Sequence, residues 1–198
     1  MIPKSDLFEG ICKAERKVSP QTLEEVLTLA VEISREGREG RKVGTIFVVG
    51  DSEAVLRQSK CLILDPLYGH PAERKRIDDL DVRETVKELA QLDGAFVVSN
   101  DGVVLSAARY LDISLEGITI PLGLGSRHLA GASISRRTHA VAVVVSQSSV
   151  VRVFDDGELV SEIIPEFWLL KRYGHHLLGH AATTQTTGDQ LTVVSRTD

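Results

Sequence analysis

Apolar positions along the chain fall into two rhythms. From Pro20, the residues Leu23, Val26, Leu27, Leu29, Ala30 and Ile33 recur at helical spacing. Proline in the first turn, Glu24 and Glu25 close behind it and Gly37 at the far end bound a helix there. A short helix is predicted over 51–58, with Asp51 or Ser52 as its cap, and a second amphipathic helix over 82–91, with Val82, Val86, Leu89 and Ala90 turned inward. Elsewhere the apolar residues run together. Residues 43–50 are β-branched and bounded by glycine, as in a strand covered on both faces. Residues 94–99, the turn Asn100-Asp101-Gly102 and residues 103–108 spell a hairpin; 139–146 is the most strand-like run of all; and 148–154, Asp155-Asp156-Gly157 and 158–164 spell a second hairpin. Residues 165–173, with Trp168, can form a closing helix, after which the pattern fades. The expectation is an α+β (mixed α/β) fold: a central mixed sheet of about six strands flanked by helices. The expected division is an N-terminal helical segment over 1–36, a main domain over 37–173 and a flexible tail over 174–198, rich in Thr, Gln and Ser from Ala181.

Composition narrows the function classes. The 198 residues are 42% hydrophobic and 26% charged, as in a globular chain that buries a substantial core. A net charge of −5 argues against a surface given over to nucleic acid, while leaving room for a local basic site. No segment reaches the roughly 18 apolar residues of a membrane span, and Met1 to Asp6 lack a signal pattern, so the expected setting is cytoplasmic, without a membrane partner. Cys12 and Cys61 match neither a disulfide framework nor a zinc motif and read as buried or inert thiols. His70 reads as a surface residue. His175, His176 and His180 could gather a metal at helical spacing, but with no carboxylate or cysteine beside them they read as a solvated cluster.

Two stretches carry chemistry. The first is Gly123-Leu124-Gly125-Ser126-Arg127-His128, leading into a small-residue run that can turn helical. Glycines admit close approach of backbone N–H groups to a phosphate, a helix start adds unpaired donors and the positive end of its dipole, and a guanidinium grips two phosphate oxygens. A plain loop capping an ordinary helix has the same composition. The second is Asp93-Gly94-Ala95, at the mouth of a buried strand, where the glycine and the small residue leave room for a ligand. Asp93 is equally suited to a cap or turn. Together the stretches supply both halves of a nucleotidyl-transfer site: a carboxylate for a metal and a sugar hydroxyl, and donors for charge on a phosphate.

In these residues the chain resembles the diadenylate cyclase domain family, whose members carry Asp-Gly-Ala followed by Gly-x-Arg-His. From about Gly37 to Ile164, the segments 44–50, 93–96, 110–111, 123–128 and 140–146 fall in the family's order, with a spelling similar to the archaeal branch. The resemblance implies two ATP molecules meeting between two domains, each 3′-hydroxyl attacking the other's α-phosphate, with cyclic di-AMP and pyrophosphate released. It implies catalytic roles for Asp93, Arg127 and His128, with Asp93 engaging a divalent metal, Mg or Mn, and the attacking hydroxyl. Ser126, Arg127 and His128 would hold phosphates, Gly94, Tyr110 and Leu111 would line the nucleoside pocket, and Ala95, Gly125 and Ser146 would complete the ATP site. The implied partners are ATP and further copies of the chain, as a homodimer or higher homo-oligomer. Four positions depart from the family pattern: Leu129 stands where many members have a second arginine, leaving Arg136 or Arg137 to substitute; Ser126 replaces threonine; and Gln147 and Ser148 stand where bacterial members are often acidic. A catalytically silent ATP or cyclic di-AMP sensor would accommodate Leu129 and Gln147, whereas Asp93, Arg127 and His128 favour an enzyme.

Overall fold

The computed structural model describes Arg16, residues 18–165 and the backbone of 182–186 and 192–196. In its larger unit the order is α1 (Pro20–Glu36), β1 (Thr45–Val49), α2 (Ser52–Arg57), β2 (Ser59–Cys61), a 3-10 turn (Ala72–Arg74), α3 (Leu80–Leu89), β3 (Ala95–Val98), β4 (Val104–Leu111), α4 (Ser126–Arg137), β5 (Val141–Val145), β6 (Val151–Asp155) and β7 (Glu158–Ile163). The strands make one mixed sheet in the order β2-β4-β3-β1-β5-β6-β7. Only β1 and β3 run parallel; the other neighbours are antiparallel. The seventh strand, beyond the six expected, is the short edge β2. Both hairpins stand where their turn residues put them, β3–β4 around Asn100-Asp101-Gly102 and β6–β7 around Asp156-Gly157.

Strands β1, β3 and β5 are buried along their whole length, which is why they read as continuous apolar runs. On one face Ile46, Val48, Val97, Ala142, Val144 and Phe154 pack with Ala130 and Ile134 of α4 and Val55 of α2. The alternate residues point the other way, where Phe47 and Phe96 stack with centroids 5.0 Å apart and α1 lies over β1, β5 and β6. Helix α1 is capped by the Ser19 hydroxyl and stopped by Gly37 at φ +59°. Arg83 and Lys87 of α3, both buried, tie it to Glu25, Glu32 and Glu36 of α1. Arg16 anchors the approach to α1: it donates to the carbonyls of Ser135 and Thr138 at the end of α4 and pairs with Asp155 and Asp156.

Among the described residues no helix is long and apolar enough to cross a membrane. Cys61 is exposed, which corrects the buried alternative of the expectation that it is buried or inert, and the Arg109 guanidinium lies 3.2 Å from its sulfur. The second unit, Ile164–Asp198, contains an antiparallel pair, β8 (Ala182–Thr186) with β9 (Thr192–Arg196), within the stretch expected to be a tail. Cys12, Trp168, His175, His176 and His180 lie outside the described residues.

Candidate functional site

Topology decides which motifs meet. Parallel β1 and β3 start at the same end of the sheet; antiparallel β4 and β5 finish there. Helix α4 joins β5 through only three residues, so its C-terminus lies at the far end and its N-terminus returns to this one. Gly44, Asp93, the start of α4 and Gln147 therefore converge. Arg127 Nη2 donates to Asp93 Oδ1 at 2.9 Å, although 34 residues separate them. The Asp93 side chain is 84% exposed and that of Arg127 34%.

Gly44, which the sequence did not single out, makes this contact possible. A Cβ there would lie 3.0 Å from Arg127 Nη1 and 3.2 Å from Gln147 Cγ, so the guanidinium rests across bare backbone at the mouth of β1. At the head of α4, Gly125 is the N-cap and has no side chain to cap with. Its carbonyl receives the N–H groups of His128 and Leu129. Helix geometry leaves those of Ser126 and Arg127 without an intrahelical acceptor. No atom lies within 4 Å of where a Gly125 Cβ would sit. Open space, free donors, the helix dipole and Arg127 together suit an anion.

Gly94 has a different purpose from the one its sequence suggested. Its φ is +109°, and an added Cβ would lie 2.7 Å from the Ala108 carbonyl carbon, so the space belongs to the backbone of β4 and not to a ligand. Ala108 itself has φ +51° at a register shift between β3 and β4, a bulge that presses β4 against Gly94. The side chains of Ala95 and Leu111 are buried in the core, leaving only their backbones to face a ligand. Tyr110, on the opposite face of β4 from Leu111, is half-exposed, with Lys60 Nζ 5.3 Å from its ring centroid. The Ser146 hydroxyl lies 2.9 Å from that of Ser148. Arg136 and Arg137 are engaged at the C-terminal end of α4, with Asp156 and the Asp112 carbonyl. A twelve-residue helix is about 18 Å long, so neither reaches the cradle from within the chain, which corrects the expectation that they replace the arginine absent at Leu129.

His128 lies beneath the cradle, 6% exposed. Its ring meets Phe154 edge-on, its Nε2 is 3.2 Å from Arg152 Nη1, and its Nδ1 is buried without a hydrogen-bond partner. Burial holds the imidazole below its usual pKa and Arg152 pushes the same way; Glu162 and the Gly125 backbone oppose them more weakly, and Arg127 adds the smallest push downward. Arg152 in turn is paired with Glu162 across the β6–β7 hairpin. Neither was singled out from the sequence, although an Arg and a Glu equidistant from Gly157 signal a cross-strand pair.

The family described as DisA bacterial checkpoint controller nucleotide-binding (DAC) matches residues 32–159. Among curated relatives, a diadenylate cyclase of Methanocaldococcus jannaschii is 51% identical over 161 residues, covering 81% of this chain and 50% of its own length. One of Haloferax volcanii is 41% identical over 164 residues, covering 81% and 57%. The chain thus spans about half the length of the curated relatives it matches. Among solved structures, a hypothetical membrane spanning protein from Bacillus cereus shares the fold at 21% identity and a TM-score of 0.54, over 73% of this chain and 65% of that one.

Proposed function

The chain belongs to the DAC family, and from that premise we propose that it condenses two ATP molecules into cyclic di-AMP and two pyrophosphates. The observation that carries the reading is the meeting of Asp93 and Arg127 beside the open head of α4. In each half-reaction a 3′-oxygen forms a bond to the α-phosphorus of the other ATP, the bond from that phosphorus to the bridging oxygen breaks, and pyrophosphate leaves. Asp93 orients the attacking hydroxyl and accepts its proton. Arg127, the Ser126 hydroxyl and the N–H groups of Ser126 and Arg127 hold phosphate oxygens and stabilise the charge that builds on them. The Tyr110 ring offers a stacking surface to adenine, while the backbones at Gly94, Ala95, Leu111 and Gly125, with the Ser146 hydroxyl, bound the nucleotide.

Asp93 would also hold the divalent cation, Mg or Mn. Among the described residues no three carboxylates, histidines or cysteines gather into a protein-only cage. One hard carboxylate oxygen completed by substrate phosphates and water is nevertheless an ordinary donor set for Mg, so the residues fit. Such an ion supplies positive charge at the phosphates and acidifies the hydroxyl. Since one chain offers one Asp93 and one cradle, two copies facing each other complete the reaction.

Incubation of purified protein with ATP and Mg²⁺ or Mn²⁺, with products identified by mass, tests the proposal. Cyclic di-AMP and pyrophosphate are expected. ATP that binds and is recovered unchanged would leave a nucleotide-binding module instead.

A further inference from the structure

The cradle's histidine does not stand alone. An arginine has no lone pair to offer, so a contact of 3.2 Å between Arg152 Nη1 and His128 Nε2 is a hydrogen bond only if the guanidinium donates and the imidazole accepts. Nε2 is then bare, and the ring's single proton is on Nδ1. Two contacts support that arrangement: Glu162 holds the guanidinium from β7, and Phe154 packs edge-on against the buried ring from β6. Arg152, Phe154 and Glu162 all lie on the α4 face of the sheet, because Arg152 is opposite Val144 and Phe154 opposite Ala142 in the register.

We propose that Arg152 and Glu162 are positioning residues that lock His128 as the neutral imidazole protonated on Nδ1, so that His128 serves as an uncharged strut under the phosphate cradle and not as a phosphate-binding cation or proton donor through Nε2. The charged groups facing the ring are Arg152 from β6, Glu162 from β7 and Arg127 on its own helix. Protonating Nε2 would set two positive groups at hydrogen-bond distance in a buried place, and the depressed imidazole pKa agrees with this. The work of binding phosphate falls to Arg127 and the helix N–H groups. A loop of glycines gains from a rigid support below it, since preorganised donors need no rearrangement when charge develops.

The test is nitrogen NMR on ¹⁵N-histidine-labelled full chain without nucleotide, with the His128 signals assigned by their loss in His128→Gln. At pH 7 the expected pattern is a protonated Nδ1 and an unprotonated Nε2, with titration below pH 6.5. In Arg152→Met the ring should populate both tautomers and titrate at higher pH, whereas Glu162→Gln, which removes a carboxylate that favours the charged ring, should shift its titration to lower pH. An Nε2–H tautomer or a doubly protonated ring in wild type at pH 7 overturns the proposal, as does an unchanged tautomer in a folded Arg152→Met. The activity measurement rests on the cyclase reading: the acidic limb of the pH–kcat profile should move to higher pH in Arg152→Met while KM for ATP changes less than twofold. The NMR is read without substrate, so a wrong tautomer defeats this inference alone, and absence of cyclic product with the right tautomer defeats only the reaction.

Discussion

Asp93 is largely exposed, yet its carboxylate is engaged by the guanidinium of Arg127, from the first turn of α4. Replacing it with Asn keeps the shape and removes the charge. Asp93→Asn should retain ATP binding within a few-fold by calorimetry while turnover falls by about 10²–10⁴-fold, the range for losing a positioned proton acceptor; near-normal turnover would take Asp93 out of the reaction. His128 makes the opposite prediction, about stability. In the unfolded chain its imidazole gains a proton near pH 6.5, whereas in the fold burial and Arg152 delay that gain to lower pH. Unfolding therefore takes up a proton in this window, and stability is full above pH 6.5 and declines as pH falls through the depressed pKa. Denaturant titrations from pH 7.5 to 5 should show that decline, and His128→Gln should flatten it.

Helix α4 brings the cradle to the sheet through a close approach at one residue. A Cβ on Gly131 would lie 2.8 Å from Val144 Cγ2 and 3.5 Å from both Ala142 Cβ and Phe154 Cδ2, so the helix rests on β5 and β6 where it has no side chain. Gly131→Ala sets a gain of about 1 kcal/mol in helix propensity against an overpacking penalty of about 1–3 kcal/mol. The expected result is a net loss of stability, a melting temperature lower by several degrees, and weaker ATP binding as the head of the helix lifts away from Gly44; a variant more stable than wild type would mean the sheet yields freely. The same scale shows what the sequence could and could not disclose. Hairpins β3–β4 and β6–β7 were legible because Asn100-Asp101-Gly102 and Asp156-Gly157 are local turn chemistry. Edge strand β2 was not, because Ser59-Lys60-Cys61 has no apolar alternation and is a strand only by pairing with β4. Asp93 and Arg127 were legible as residue types, but their contact, the bare backbone at Gly44 and the filled space at Gly94 arise from strand order and a bulge, which no local pattern encodes.

At the scale of the molecule, one chain carries one Asp93 and one cradle, and the proposed cyclisation of two identical nucleotides requires each half-site twice. Specific activity should rise with protein concentration below the dimer dissociation constant. Mixing Asp93→Asn with wild type at fixed total concentration should lower activity towards the square of the wild-type fraction; a linear fall with freely exchanging subunits would sink the two-fold arrangement. The ion pair between Asp93 and Arg127 has its own thermodynamic consequence for how such a molecule fills. With no ligand bound, each side chain neutralises the other, so a cation arriving by itself must compete with a guanidinium, and a phosphate arriving by itself must compete with a carboxylate. Arriving together, the two ions exchange one internal pair for two external ones, which makes their binding mutually reinforcing by the same factor in either order. An exposed pair is worth up to about 1 kcal/mol, so removing the competitor in Arg127→Met should strengthen nucleotide-free Mn²⁺ binding at Asp93 by up to about fivefold, measured by electron paramagnetic resonance, even as ATP affinity drops. Equal Mn²⁺ affinity in the two proteins would mean that the guanidinium gives way without resistance, and that metal and nucleotide enter independently.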